Sequence, residues 1–539
     1  MNMQEPSCYT AWIRSKNGIP LPCYADGKPA ASVYDPIKEA QNFADLGAFA
    51  EAGFILIAGL GSTLHLNALA AKYPNARIAA VEANRASADF ILQNPDIRLQ
   101  KTIRVCTAGE ICDFLAENYF PPVDGDFCLF PLRSWTQANP ILFENVKKDT
   151  QKALQNIAAD VSTQSRFGKL WHKNIMQNLQ LFAHAQSGSC IDFNKTHFPT
   201  QKTAFVAAAG PSLESHFDIL KEKRNAFYII ATDTAFSALS AQNIQADAVV
   251  TIDPQQVSIN HFYTAIDKNT FFVCDLCCQP AVPRKILHAG SPLLFFASAH
   301  PLCTLVELWV QKFALQGVYN QNKKKSEVFP RFDCSSGTVT LTAFDFAVQA
   351  GFQHISAGGA DFCYIDGKAY TKGSYFDALF GIQNNRLYSV EQQFSSLMYS
   401  RKLEPVDMGV SHKAFTTALL QQYRRRFEEF KAMHPHIMQQ YTYDENHDKT
   451  VFSYMHTDER ALLTDFFNWY AAELDDFFSD KNRSPTDKNI DKNILQRAVQ
   501  ISIFPYIAWY AGQHFENGDV KKITKEICNY QKNICTIRS

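Results

Sequence analysis

One stretch constrains this chain more than any other: Thr203 to Leu213, TAFVAAAGPSL. Thr203 to Ala209 is an apolar run with the length of one buried parallel strand. It stops at Gly210-Pro211-Ser212 and gives way to the amphipathic run LESHFDILKEK. That order predicts strand, tight turn and helix. Gly210 bends without a Cβ clash, Pro211 presets φ for a helix start, and Ser212 is the expected N-cap. A helix start of this kind gathers N–H groups that attract phosphate. An ordinary strand-to-helix turn uses the same residues, so the motif alone leaves both readings open.

At 539 residues the chain exceeds one core, and roughly two to four domains are expected. Apolar residues make up 46% and charged residues 19%, a balance expected of a soluble globular protein. A net charge of −1 supplies no field to draw the chain to nucleic acid or an acidic membrane. The start, MNMQEPSCYTAWIRSKNGIP, lacks the apolar core of a signal peptide. The run from Ile501 to Ala511 is too short to span a bilayer. The expected location is cytoplasmic. Fourteen cysteines are then expected as reduced thiols. The cluster Cys274, Cys277 and Cys278 has no second ligand pair for zinc, so it is expected in a core.

Apolar runs and polar stops recur along the chain. GFILIAGLGSTL at 53–64 and RIAAVEAN at 77–84 have the order of a nucleotide or S-adenosylmethionine site, with Glu82 placed to hold a ribose. The third glycine of that pattern is missing near Leu64, which leaves a purely structural unit as the alternative. Asp124-Gly125-Asp126 mimics a metal-binding acidic pair and is expected to be a solvated turn. Residues 145–185 show helical spacing, with Gly168 a candidate break and Trp171 a candidate packing residue between domains.

In the middle of the chain, strands end at Thr232-Asp233-Thr234 and at Ile252-Asp253-Pro254. In an open parallel sheet these ends line the ligand crevice, and Asp233 and Asp253 are candidate ligand-binding groups; a helix N-cap is the alternative for each. Lys323-Lys324-Lys325 is expected as a solvated run. Ser335-Ser336-Gly337 opens a helix and offers a second anion cradle. The strand at 354–357 ends in a Gly- and Tyr-rich loop holding Asp361, Tyr364 and Tyr370, whose phenols are suited to donate to a leaving phosphate. Residues 401–539 carry aromatic residues at helical spacing.

The expected architecture is α/β. A Rossmann-like N-terminal domain (1–142) and a helical connector (143–192) precede a central Rossmann-like, doubly wound parallel sheet (193–400). A mostly helical C-terminal domain (401–539) follows.

With these residues assembled, the chain resembles the motility-associated factor family of bacterial flagellin glycosyltransferases. AAAGPSL at 207–213, ATDTAFSALSAQNIQADAVVTIDP at 231–254 and SSGTVTLTAFDFAVQAGFQHISAGGADFCYIDGKAYTKGS at 335–374 support the resemblance. GLGSTLHLNAL with VEAN, and RFGKLWHKNIMQN at 166–178, extend it. The central domain is also similar to bacterial sialyltransferases and to pterin diphosphokinases. The resemblance implies transfer of a nonulosonic, sialic-acid-like sugar from a CMP-nonulosonic acid donor to Ser or Thr of flagellin, in support of flagellar assembly and motility. It assigns nucleotide binding to Gly210, Ser212, Asp233, Ser335, Ser336 and Gly337; Pro211, Asp253 and Asp361 join the expected nucleotide-binding set from their own places in the turn, at the strand end and in the loop after the last strand. Tyr364 and Tyr370 would steady the departing phosphate, with no metal or other cofactor required. Tyr364 matches after a one-residue insertion. The histidine base of the sialyltransferases has no counterpart between His354 and His412; Asp407 and His412 fall nearest its place. Two alternatives stand beside this reading. One is an ATP- and Mg²⁺-dependent hydroxymethylpterin diphosphokinase with Asp233, Asp253 or Asp361 on the metal. The other is a non-catalytic flagellin-binding scaffold.

Overall fold

A computed structural model describes residues 6–314, 328–334, 337–407, 413–435, 448–479 and 490–513. The chain divides into two compact units, Met1–Arg166 with Asn482–Asn493, and Phe167–Lys481 with Ile494–Ser539.

The first unit opens with an antiparallel hairpin, β1 (Tyr9–Arg14) and β2 (Pro20–Tyr24). Four parallel strands follow: β3 (Ala52–Ala58), β4 (Arg77–Glu82), β5 (Arg104–Thr107) and β6 (Asp126–Pro131), in the order β5-β4-β3-β6. Helices Leu64–Lys72, Arg85–Leu92 and Ile111–Asn118 alternate with them, giving a Rossmann-like α/β unit. The Asp124-Gly125-Asp126 turn is not solvated at its first residue. Asp124 is buried, accepts from the Phe120 N–H and pairs with Arg77 at 3.7 Å.

The second unit is built on six parallel strands: β7 (Thr203–Ala207), β8 (Phe227–Thr232), β9 (Ala248–Thr251), β10 (Phe271–Asp275), β11 (Leu293–Phe296) and β12 (His354–Gly358). Their order is β11-β10-β9-β8-β7-β12. Side chains alternate between the two faces. Phe205, Ile229, Val249 and Phe272 enter one core, while Val206, Ile230, Val250 and Val273 enter another. Both faces are covered, which is why these strands read as unbroken apolar runs rather than an alternation. A small antiparallel sheet of β13 (Tyr364–Ile365), β14 (Glu404–Val406) and β15 (Ala414–Thr416) lies beyond β12 in the chain, in the order β13-β15-β14.

The region expected to be a connector is one helix, Pro140–His184. Gly168 does not break it. Instead, a Cβ at Gly168 would overlap the Pro505 carbonyl of helix Ile490–Gln513, so the glycine marks a backbone-to-backbone approach. Trp171 packs on Phe167 and, edge-on, on His300, within the second unit. The described residues of the C-terminal region are mostly helical, and Leu463, Phe466, Tyr470 and Ile503 join the same core as the strand residues. Fully buried Arg460 donates to the carbonyls of Phe182, Ala185 and Gln186 and so closes the carbonyl end of the long helix. Among the described residues, no helix is long and apolar enough to cross a membrane.

Candidate functional site

The strand order of the second unit reverses between β7 and β12, and ligands of open parallel sheets collect at the carboxyl ends of such a pair. The chain follows β7 with Ala208-Ala209-Gly210-Pro211-Ser212 and β12 with Gly359-Ala360-Asp361. These two segments bind each other. The Gly210 N–H donates to the Gly359 carbonyl at 2.9 Å. The Ser212 N–H donates to Asp361 Oδ2 at 2.9 Å, and the Ser212 hydroxyl donates to Asp361 Oδ1. The Gly359 N–H in turn donates to Ser212 Oγ at 3.0 Å. Pro211 has no N–H. The turn is therefore a clasp between two strand ends, and its main-chain donors are committed inside the protein. That corrects the expectation of a phosphate cradle at Gly210–Ser212. The expected helix is a 3₁₀ turn, Pro211–His216, followed by helix Phe217–Glu222, and Gly210 rather than Ser212 is its cap. Glycine is required at both ends of the clasp. A Cβ at Gly210 would overlap the Gly359 carbonyl and lie 2.9 Å from Asp361 Cγ, and Gly359 itself has φ +78°.

Asp233 is almost fully buried at 4% exposure. It does not cap its helix, Asp233–Ala241; Thr232 does. Its Oδ1 accepts from the Thr234 N–H at 2.7 Å, and its Oδ2 from the Thr251 hydroxyl of β9 at 2.9 Å. Asp253 is half-buried and accepts from the Gln255 N–H. Burial and the nearby Asp233 raise its carboxyl, while His261 and the Gln255 N–H lower it.

Two tyrosines, Tyr364 and Tyr423, lie within electrostatic reach of a third, Tyr370, which also lies within reach of Asp233 after β8. Tyr370 stacks on Phe376 at 4.6 Å. Burial, then the proximity of Tyr364 and Asp233, push its phenol up to about 12, against the opposing pull of Arg401. Burial also raises Tyr364 and Tyr423, and Arg401 pulls both down. Tyr423 Oη lies 3.8 Å from where a Cβ of Gly337 would stand. Gly337 has φ +70° and precedes Thr338, the N-cap of helix Val339–Gln349. Tyr370 therefore has Asp233, Tyr364, Tyr423 and Arg401 as neighbours, and Tyr423 reaches Gly337, so residues picked from separate parts of the sequence are linked through Tyr370 and Tyr423. Ser335, Ser336, His412 and the Lys323–Lys325 run lie outside the described residues. Asp407 is exposed, one residue past the Val406–Ala414 pair of the small sheet.

Four residues at this end escaped the sequence reading. Arg401 and Tyr423 sit in helical and post-helical segments with no motif. Tyr375 follows the Gly373-Ser374 turn and is raised by burial, with Tyr370, Asp253 and Asp233 adding to it. His261 is 6% exposed, stands edge-on to Tyr375 at 4.5 Å, and has a buried Nδ1 with no hydrogen-bond partner. The available signal was its place just after the β9 strand end, in the segment Gln256–Phe262.

In the first unit the expected ribose holder, Glu82, is fully buried. Its Oε2 accepts from the Leu60 N–H and the Tyr9 hydroxyl, both at 3.0 Å. Its Oε1 accepts from the Ala83 N–H and Trp135 Nε1, both at 2.7 Å. Trp135 packs so tightly on Gly59 that any Cβ there would fall 2.7 Å from the indole. The hairpin and Trp135 close the place where a ribose would reach Glu82. Cys274, Cys277 and Cys278 are buried in the second unit's core. Among the described residues, no three of His, Cys, Asp and Glu are grouped to hold a metal ion.

Residues 173–367 match the family described as 6-hydroxymethylpterin diphosphokinase MptE-like, so this domain contains the whole six-stranded sheet. The solved structure of the MAf glycosyltransferase from Magnetospirillum magneticum AMB-1 aligns with 99% of this chain and 90% of its own, at 12% identity and a TM-score of 0.46. An uncharacterized protein of Treponema pallidum (strain Nichols) is 28% identical over 157 residues, 29% of this chain and 50% of that protein. A second uncharacterized Treponema pallidum protein is 32% identical over 160 residues, 30% of this chain and 73% of its own length. With most of that relative covered at this identity, the chain belongs to the same family as this second Treponema pallidum protein.

Proposed function

We propose that the second unit is a glycosyltransferase that moves a nonulosonic sugar from a CMP donor to Ser or Thr of flagellin, in the cytoplasm. The observation that supports this reading is the set of phenols, Tyr364, Tyr370 and Tyr423, gathered with Arg401 beside Asp233 at the carboxyl end of the sheet. Phenols kept protonated by burial donate hydrogen bonds, and Arg401 adds positive charge. Both favour the phosphate that gains charge as the sugar leaves. In the transfer, the bond from the sugar's anomeric carbon to the phosphate oxygen breaks, CMP departs with the electron pair, and the acceptor hydroxyl forms the new bond. Its proton needs a base within reach. His261, with an unpartnered Nδ1, joins Asp407 and His412 as a candidate.

The family match favours a second reading, an ATP-dependent pterin diphosphokinase. Its fit to the carboxylates is poorer. Of the three that would hold Mg²⁺, Asp233 and Asp361 already take protein donors on both oxygens. Calorimetry of the full chain with CMP, CDP and ATP, each with Mg²⁺ and with EDTA, separates the readings. The expected result is CMP or CDP binding that survives EDTA, with ATP silent. Mg²⁺-dependent ATP binding overturns the transferase reading, and binding of none of the three favours the scaffold.

A further inference from the structure

The first unit has a cavity of its own, independent of the proposed transferase site. It measures about 370 Å³, within the ~300–1,000 Å³ of small-molecule sites. It lies at the carboxyl ends of β3 and β6. Ser62 and His65 follow β3, and Leu132, Arg133 and Ser134 follow β6. The order β5-β4-β3-β6 reverses between those two strands, so the cavity occupies the switch point of this sheet. The β4 side of the turn is the part closed by Tyr9, Trp135 and Glu82; the β6 side is open.

The lining divides into two chemistries. Phe43, Leu46, Phe130 and Leu132 supply an apolar wall. At the other end stands Ser62, 4% exposed, with no hydrogen-bond partner for its hydroxyl among the described residues. It adjoins the start of helix Leu64–Lys72, whose N-cap Thr63 makes no side-chain capping bond. The first-turn N–H groups are therefore left without a side-chain acceptor, and they favour an anion. Exposed Arg133 adds a positive charge at the rim. The rim carboxylate, Glu39, accepts from the Ser32 N–H. His65 Nε2 lies 3.3 Å from the Gly59 carbonyl. A carbonyl can only accept, so the proton sits on Nε2 and Nδ1 presents a lone pair.

We propose that this cavity binds a small anion with an apolar body, of the class of an aryl phosphate or aryl carboxylate. Its anionic end would face Ser62, Arg133 and the helix start, and its body Phe43, Phe130 and Leu132.

The probe is phenyl phosphate, titrated into the full chain by calorimetry, with inorganic phosphate and CMP as comparisons. Saturable binding of phenyl phosphate is expected, undisturbed by CMP. Ser62→Ala and Arg133→Ala should each weaken it about tenfold, the worth of one charge-assisted hydrogen bond. Arg133 is exposed, so its variant keeps the fold and isolates the charge. No saturable binding at millimolar probe overturns the proposal. So does equal affinity for inorganic phosphate, displacement by CMP, or full affinity in both variants. Failure here leaves the transferase reading untouched, because CMP binding is read separately.

Discussion

Replacing Gly168 with alanine sets two effects of opposite sign against each other. In an exposed helix interior the exchange stabilises by about 1 kcal/mol, because alanine loses less backbone freedom on folding. At Gly168 the new Cβ meets the backbone of helix Ile490–Gln513. It overlaps the Pro505 carbonyl and stands 2.8 Å from the Tyr506 nitrogen, where non-bonded contacts begin near ~3.5 Å. No rotamer change relieves this, since the obstacle is main chain. The helices must separate, which loosens buried Ile503 and Tyr506. Overpacking costs about 1–3 kcal/mol in well-packed interiors and more against backbone. The net expectation is a loss of about 2 kcal/mol, the propensity gain included. Gly381, inside helix Tyr375–Gln383, has nothing within 4 Å of the point where a Cβ would stand, so Gly381→Ala should stabilise by about 0.5–1 kcal/mol. Thermal and urea unfolding of both variants, followed by tryptophan fluorescence, test the pair. A Gly168→Ala protein as stable as the parent would refute the close helix approach.

Tyr370→Phe should leave the fold intact and slow CMP release from a CMP-sugar by about 100-fold, the usual loss for one donor to a developing anion; an unchanged rate removes Tyr370 from the mechanism. Glu82→Gln turns one acceptor into a donor facing N–H groups and should cost about 2–4 kcal/mol, with CMP binding untouched. The reverse pattern, normal stability and lost nucleotide binding, restores the ribose role. Acid should weaken the second unit. Burial holds His172 and His300 down to about 3, so below ~6.5 the unfolded chain binds protons that the folded one does not. Asp275, raised by burial to about 7, acts oppositely between its unfolded and folded values and offsets one histidine. The remainder is a loss of about 1 kcal/mol per pH unit between roughly pH 6 and 5, read from denaturation midpoints; a flat profile sinks the argument.

The strands were legible because each is a continuous apolar run, and a parallel sheet covered on both faces demands that. Their polar stops were legible too, and Tyr364, Tyr370 and Asp233 do neighbour one another. What each stop does was not. Asp233 and Asp253 read equally well as caps or ligands; Thr232 takes the cap, and the Thr251 hydroxyl takes Asp233. Ser212 read as a cap for an anion-binding helix, and its hydroxyl instead joins Asp361, 149 residues away. Gly168 read as a break because propensity is local, while the reason for a glycine there lies on a helix more than 300 residues further along the chain.

From sequence alone came the α/β class, the parallel strands and the glycines that the turns require. These follow from period, length and main-chain sterics, which act between near neighbours. Only the tertiary structure decided which donors are spent inside the protein and which remain for a ligand. It closed Glu82 behind Tyr9 and Trp135, tied the Gly210–Ser212 turn to Asp361, and brought His261 to Tyr375. Hydrogen-bond capacity is limited at each atom, so a group's availability depends on partners that local sequence does not specify.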